Sequence, residues 1–325
     1  MVAISNLERL PAEGAVTIWD VRTGKELPGQ KQFGSAVLGL RYTRDGVRIS
    51  GEVDGTLTLT TTKAGVSRPR TIRLPNREFR GAIAVSPDGK LFAAASSIPV
   101  RVNQANDYRI GVWDVDTLEQ RADLKLGDQS TVDLTFSPDG KRLLALTNNE
   151  GNSVVGSDTD GANTATMLTW RLPGLTDEKR IQLDTNSLTS MVYTPDGKSI
   201  ITAGVGGVLQ VRDAQTGKMR YDFGHHTSTV RELAISPDGR TLASITVDDA
   251  VVRLWDLPSH QLLAVLTGHT AALNEIVFSP NGKLLASGGT DTDVGIWQLD
   301  PEAAIRQLCG NLTDAGQKGL GALGC

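Results

Sequence analysis

Ser86-Pro87-Asp88-Gly89 (SPDG) decides the fold, because this four-residue turn returns along the chain. SPDG stands again at 137–140 and 236–239, and variants stand at 43–46 (TRDG), 194–197 (TPDG) and 279–282 (SPNG). Counted between their second residues, the last three turns are 42 and 43 residues apart. A period of this length predicts a repeat protein in which each unit packs against its neighbours.

Each of these turns joins two predicted strands. Pro presets φ for the first central position of a type I turn, and Gly takes the position that needs a positive φ. Alternating apolar residues such as Leu233 and Ile235 precede the turn, and a short apolar run follows it, as at 284–286. A third run ends in an aromatic residue, as at 252–255, and a fainter fourth run follows at 261–266. Four strand signals per period predict a four-stranded antiparallel blade.

A second marker ends the third strand of the unit. Trp-Asp stands at 19–20, 113–114 and 255–256, with weaker forms at 170–171, 212–213 and 297–298. Gly268-His269 lies shortly before the last turn, with His269 eleven residues ahead of Pro280. Together, the strand order, the PDG turn and the Trp-Asp ending resemble the WD40 repeat of β-propellers, over residues 2 to 299. The resemblance implies an all-β propeller domain at 1–299.

The spacing of the markers predicts the number of blades. The third-strand position lies 25 residues before the second residue of the next turn in five of the repeats. Counting third strands at this spacing, with Thr61 in the Trp position of one blade, gives a seven-bladed propeller of four-stranded blades. The first blade is expected to be incomplete, because Val2 to Ser5 fall where its second strand should lie, which leaves no sequence for its innermost strand.

A tail at 300–325 follows the predicted propeller. Asp300 is typical of a helix N-cap, Pro301 of the first helical position and Glu302 of an acidic residue in the first turn. We therefore expect a helix at 301–309, with an outer strand at 303–308 as the alternative. The tail resembles those that close the WD40 regions of bacterial multidomain signalling proteins, where an NTPase or kinase domain precedes the propeller. That resemblance implies the sensor or regulatory half of such a protein.

The net charge and the hydrophobic pattern of the chain indicate which classes of partner are unfavourable. A net charge of −4 and a pI of about 5.6 argue against nucleic-acid binding by bulk electrostatics. No run approaches the roughly 18 apolar residues of a membrane span, and the first 20 residues lack a basic start followed by a long apolar run. These features favour a cytoplasmic protein without a membrane partner. Cys309 and Cys325 both lie in the tail and are expected to be free thiols.

Two sets of Ser, His, Asp and Trp stand at the spacing of the WD40 structural tetrad. In that family the polar groups form an internal hydrogen-bond chain, so we expect a structural and not a catalytic role. The first set is His226, Ser244, Asp249 and Trp255, and the second is His269, Ser287, Asp291 and Trp297. The other blades carry Phe33, Asn76, Gly127 and Asp184 in the His position, and we expect those blades to be looser.

Two insertions supply the candidate binding surface. They lie between the second and third strands of neighbouring blades, at residues 97–109 and 147–167, and so should rise from one face of the ring. The alternative interpretation is that both insertions are surface loops that the fold tolerates and that have no binding role. As a binding surface they would use Arg101, Asn103, Tyr108, Arg109, Asn149, Glu150, Asp158 and Asp160. Tyr108 and the arginines are the expected anchors.

Two classes of function remain from the sequence. The first is a non-catalytic scaffold that binds a protein or peptide partner, as the WD40 family generally does. The second is a propeller enzyme of the lactonase or lyase type with a site in the central channel. Because the chain has four histidines, all in the last blades, a channel metal site is hard to assemble. We therefore expect a scaffold without a metal, a cofactor or catalytic residues.

Overall fold

A computed structural model of the chain describes residues 2–6, 15–20, 25–26, 31–63, 66–98, 107–149 and 164–300. These residues form antiparallel sheets, each built from strands that follow one another in the chain. The predicted helix at 301–309, its alternative strand and both cysteines lie outside the described residues. Among the described residues, no helix has the length and apolar character needed to cross a membrane.

The strands are named by sheet. The first sheet contains β1 (Val2–Asn6), β2 (Ala15–Asp20), β3 (Lys25–Glu26) and β4 (Lys31–Gln32). The next two contain β5 (Val37–Tyr42), β6 (Arg48–Glu52), β7 (Thr56–Lys63) and β8 (Val66–Arg73), then β9 (Glu78–Val85), β10 (Leu91–Ser97), β11 (Tyr108–Asp114) and β12 (Gln120–Gly127). The fourth contains β13 (Gln129–Phe136), β14 (Arg142–Asn149), β15 (Thr164–Arg171) and β16 (Thr176–Asn186).

The remaining sheets follow the same order. The fifth contains β17 (Leu188–Tyr193), β18 (Ser199–Gly204), β19 (Val208–Asp213) and β20 (Met219–His225). The sixth contains β21 (Val230–Ile235), β22 (Thr241–Thr246), β23 (Val251–Asp256) and β24 (Gln261–Thr267). The last contains β25 (Leu273–Phe278), β26 (Leu284–Gly289) and β27 (Val294–Gln298), without a fourth strand in the described residues.

The inner strands of the propeller are the first strands of six of these sheets. They are β5, β9, β13, β17, β21 and β25, and each contacts the next in this order. Arg41 of β5 reaches Glu275 of β25, with 3.4 Å between Nη1 and Oε1, so a side-chain contact links the first and last inner strands of the series. The result is a β-propeller with antiparallel blades, as predicted.

The predicted number of seven blades is wrong. Six blades contribute an inner strand to the described structure. The sheet β1–β4 does not, because β1 pairs only with β2 and takes the place of a second strand. Its outer strand is split into β3 and β4, which both pair with β2. Each Trp-Asp position indicates the third strand of a blade, and the predicted number counted those positions. A blade of the ring also requires an innermost strand, for which the sheet β1–β4 has no described segment.

The recurring turn is stabilised by its own side chains. Ser86 Oγ lies 2.6 Å from the Asp88 carboxylate and accepts the N–H of Leu91 at 2.9 Å, while the Gly89 N–H donates to the Ser86 carbonyl at 2.8 Å. Gly89 has φ of +73°, a conformation that favours glycine. The same set of bonds recurs at Ser137, Thr194, Ser236 and Ser279. The turn therefore forms from local sequence alone.

The core lies between the sheets. Each hydrophobic cluster combines one face of a blade with the facing side of its neighbour, as where Ile245 and Leu254 pack on Leu273 and Leu285. Between β9–β12 and β13–β16, the cluster includes Tyr108, Ile110 and Trp170. Because each blade needs a neighbour to bury its faces, the stability of any one blade depends on the next.

Candidate functional site

The last blade contains a continuous hydrogen-bond chain from a tryptophan to a carboxylate. Trp297 Nε1 donates to Ser287 Oγ at 2.9 Å, Ser287 Oγ lies 2.8 Å from His269 Nε2, and His269 Nδ1 lies 2.8 Å from Asp291 Oδ2. Asp291 also accepts the N–H of Thr270. Burial opposes ionisation of Asp291, but the bonds from Thr270 and His269 outweigh it and lower the pKa of this carboxyl. All four polar groups are committed to one another inside the blade.

The neighbouring blade contains only part of this chain. Trp255 Nε1 donates to Ser244 Oγ at 2.8 Å, and Ser244 Oγ lies 2.9 Å from His226 Nε2. Asp249 does not join them, which corrects the tetrad expected from the spacing. Its carboxylate bonds to Arg253 at 2.7 Å, and the buried Nδ1 of His226 has no hydrogen-bond partner. Burial, with the positive charge of Arg253, lowers the pKa of His226 to about 4.

The difference between the two blades comes from one strand position. The residue two before the tryptophan is Gly295 in the last blade and Arg253 in the blade before it. A Cβ at Gly295 would lie 2.5 Å from Ser287 Oγ and 2.8 Å from His269 Nε2. The arginine side chain engages the aspartate that the histidine would otherwise bond, whereas the glycine of the last blade has no side chain that competes for Asp291.

An arginine stands in the tryptophan position of the blade β17–β20, and its pairing with Asp184 was not predicted from the sequence. Arg212 is fully buried, and its guanidinium donates to Asp184 at 2.6 Å, to Gln210 at 2.5 Å and to Thr202 Oγ1 at 3.2 Å. Asp184 occupies the His position of this repeat. The blade is therefore not merely degraded, because a charged pair takes the Trp and His positions of the tetrad. Opposite charges in those two positions were the signal for it.

The predicted partner-binding residues fall into two groups. Arg101, Asn103, Glu150, Asp158 and Asp160 lie outside the described residues, and Asn149 is the last residue of β14. Tyr108 and Arg109 belong to β11, not to a loop. Tyr108 is only 4% exposed and packs in the core between two blades, so it is unavailable as a surface anchor. The insertions begin later and end earlier than predicted, because the flanking strands extend into them.

Arg109 is held by ion pairs at the base of the first insertion. It contacts Asp123, and it bonds Asp107 through Nη2 at 3.1 Å. Arg77 donates to the same carboxylate of Asp107 at 2.9 Å. The bonds from Arg109 and Arg77 lower the pKa of Asp107 although burial opposes this. This network fixes the residue where the insertion re-enters the sheet.

A cavity of about 460 Å³ lies beside this network. Its lining combines charged and apolar side chains from three turns on the face of the insertions: Asp54, Arg73, Leu74, Asn76, Arg77, Glu78 and Ile98. Ile98 begins the first insertion and is 38% exposed, and the Arg73 side chain is 74% exposed. An exposed arginine next to an exposed isoleucine can hold a charged and an apolar group of one partner together.

A second group of charges lies at the inner strands. Arg41 faces the carboxylates of Glu232 and Glu275, with Asp133 also within its field. Burial raises the pKa of Glu232, and the nearby charge of Glu275 raises it further. Burial likewise raises the pKa of Asp133, to about 6. In the described part of the chain, no three His, Cys, Asp or Glu side chains are grouped as metal ligands would be.

Comparisons with known proteins agree with this architecture. The family model described as "WD domain, G-beta repeat" matches residues 217–256 and 260–298. WD repeat-containing protein SL1-17 of Schistosoma mansoni is 28% identical over 182 residues, which cover 56% of this chain and 52% of that protein. Nuclear distribution protein PAC1 of Arthroderma benhamiae is 27% identical over 183 residues, covering 56% and 36%. Meiotic recombination protein rec14 of Schizosaccharomyces pombe is 30% identical over 126 residues, covering 38% and 36%.

The chain thus spans about half or less of the length of these relatives. The two matched segments are similar to WD40 repeats, and each runs from the outer strand of one sheet through the third strand of the next, from β20 to β23 and from β24 to β27. Together with the WD-repeat relatives they support the WD40 β-propeller family for this chain. None of these three relatives is described as an enzyme.

Proposed function

We propose that this protein is a non-catalytic interaction scaffold that binds a protein or peptide partner on the face of its two insertions. The observation that carries the proposal is the cavity at the base of the first insertion, with exposed Arg73 and Ile98 on its wall. The Ser, His and Asp groups that resemble a catalytic set are bonded to one another inside the last blade instead.

The proposed anchors differ from those expected from the sequence. Arg73 and Ile98 take the place of Tyr108, because an anchor must expose the surface that it buries on binding. The other contacts proposed on this face are Arg101, Asn103, Asn149, Glu150, Asp158 and Asp160. Resemblance of the tail to those of bacterial signalling proteins extends the proposal to the sensor or regulatory half of such a protein.

Partner capture from the native host tests the proposal. In one variant, residues 99–106 and 151–163 are replaced by turns as short as the one between β22 and β23. A second variant carries Arg73→Glu. Lys141→Glu, at the opposite end of β14 from the second insertion, is the control, because its side chain is 76% exposed and pairs with Asp139.

We expect both test variants to fold, because the ladder bonds of the blades are untouched, and to lose the partners that the wild type and Lys141→Glu recover. Recovery of the same partners by both test variants would show that binding uses another surface.

A further inference from the structure

The outer strand β24 differs from the other outer strands of the propeller in charge. The outer strands β8, β12, β16 and β20 all contain Arg, Lys, Asp or Glu, whereas β24 (QLLAVLT) contains none of these residues. The second edge of β24 pairs with no other described strand. Charged side chains on an outer strand oppose pairing of its open edge with another chain. Among the outer strands that the structure describes, β24 is the one that lacks this protection.

The contrast is clearest at one position of the repeat. The position is defined by its cross-strand partner, which lies two residues before the tryptophan position of the third strand. Four blades place a charged residue there: Arg70, Asp123, Arg180 and Asp222. The blade β21–β24 has Val265 instead, opposite Arg253. An apolar side chain thus stands at the open edge where four other blades have a charge.

Val265 belongs to an exposed apolar patch on the outer strands. It is 44% exposed, and Leu263 on the same strand is 56% exposed. The neighbouring outer strand β20 contacts β24 and adds the exposed side chains of Met219 and Tyr221. Neighbouring exposed apolar side chains on the surface of a soluble protein mark an interaction site. The patch and the open edge of β24 lie together.

The composition of β24 is suited to pairing with a second copy of itself. When two copies of a strand pair antiparallel about a two-fold axis over their full length, the central residue meets its own counterpart. The central residue of the seven in β24 is Ala264, and the strand has no charge to oppose a like charge in any register. In β20, also of seven residues, the same pairing would set Asp222 against Asp222. Like charges directly opposite destabilise a strand pair.

We infer that two copies of this chain associate by antiparallel pairing of their β24 edges, which covers Leu263 and Val265. The pairing joins the sheet β21–β24 of one copy to that of the other, and ladder bonds replace the bonds of the open edge to water. A second copy brings an uncharged apolar edge of matching length, which the other described outer strands do not offer. This association goes beyond the scaffold role proposed above and uses a different blade from the cavity beside Arg73.

Sedimentation velocity of the full chain tests the inference, with reductant present to keep both cysteines as thiols. We expect a monomer–dimer equilibrium at concentrations on the order of 1 to 100 μM, where a small interface dissociates. Val265→Lys should weaken dimerisation at least about tenfold, because the buried charge occurs twice in a two-fold interface. Leu263→Lys should act in the same way and serves as a second variant. Val205→Lys is the matched control, because Val205 is 62% exposed in the turn between β18 and β19.

A mixing experiment tests the two-fold arrangement itself. Val265→Glu alone should be as monomeric as Val265→Lys, whereas an equimolar mixture of the two should dimerise more tightly than either. The reason is that diagonal neighbours on one face of a strand pair lie within reach of long side chains, so opposite charges attract there. A mixture that associates no more than its components would overturn the two-fold pairing.

The remaining outcomes also decide the inference. A wild type that stays monomeric would assign the edge to another protein or to another segment of this chain and would overturn it. A dimer that neither Val265→Lys nor Leu263→Lys weakens would place the contact elsewhere, and so would equal weakening by Val205→Lys. Thermal melts of all variants show that the comparison is made between folded proteins.

Discussion

His269 and Asp291 lie 2.8 Å apart, Nδ1 to Oδ2, and both side chains are almost fully buried. The corresponding pair in the preceding blade, His226 and Asp249, is not bonded, because Asp249 pairs with Arg253. Two repeats with the same four residue types thus contain different internal bonds. The contrast supplies matched variants within a single chain.

Removal of the aspartate should affect the two blades differently. Asp291→Ala leaves His269 Nδ1 buried without an acceptor, and we expect it to lower the free energy of unfolding by about 2 kcal/mol. Asp249→Ala releases only a partly exposed ion pair and should cost less than about 1 kcal/mol. Urea unfolding of both variants measures the difference. Equal losses would show that the His269–Asp291 bond contributes nothing special to the last blade.

Substitution of Gly295 should displace the side chains of the same hydrogen-bond chain. In Gly295→Ala the new Cβ would meet Ser287 Oγ at 2.5 Å and Trp297 Nε1 at 2.9 Å. We expect a loss of about 1–3 kcal/mol from the forced displacement of these side chains. Gly34→Ala is the control, since nothing lies within 4 Å of its Cβ position. A thermal melt of Gly295→Ala that matches that of Gly34→Ala would contradict the prediction.

The buried arginine should contribute far more than an exposed one. Arg212→Ala removes a fully buried side chain and its bonds to Asp184, Gln210 and Thr202, and we expect a loss of about 3 kcal/mol or more. Arg220→Ala breaks a pair with Asp213 in which both side chains are partly exposed, and it should cost under about 1 kcal/mol. Chemical denaturation ranks the two. A smaller loss for Arg212→Ala would mean that this blade is held by packing alone.

Acid should destabilise the protein partly through His226. Its pKa is about 4 in the folded chain, below the ordinary value of about 6.5. The unfolded chain therefore binds the proton first as pH falls, so the contribution of His226 is complete above about pH 6.5 and is lost progressively toward pH 4. Unfolding free energies measured across this range should fall less steeply for His226→Gln than for the wild type. Identical slopes would rule out the depressed pKa.

Arg253 provides an independent check on the same histidine. Its positive charge is one cause of the low pKa of His226, after burial. Arg253→Ala should therefore raise that pKa, because the charge is removed and Asp249 becomes free to accept from Nδ1. An NMR titration of the His226 ring in both proteins reports the change. An unchanged or lower value in the variant would contradict the assigned cause.

The features that could be predicted from sequence are those with local causes. The turn at Ser86 is stabilised by bonds that span at most five residues, so its sequence alone predicts its form. The blade follows, because four strands in chain order pair with their sequential neighbours. The polar residues of the tetrad in the last blade could also be predicted from their spacing, because equivalent positions of each repeat occupy equivalent places in its blade.

Contacts between residues distant in sequence were decided only by the tertiary structure. Asp249 stands at the right spacing for His226, yet the competing charge of Arg253 takes it. Tyr108 stands in a polar stretch, yet a neighbouring blade buries it. The arrangement of the six inner strands depends on which strands meet in space. Turns and strand order depend on residues close in sequence, whereas ring closure and buried charge pairs depend on which groups compete for the same partner after the blades have packed.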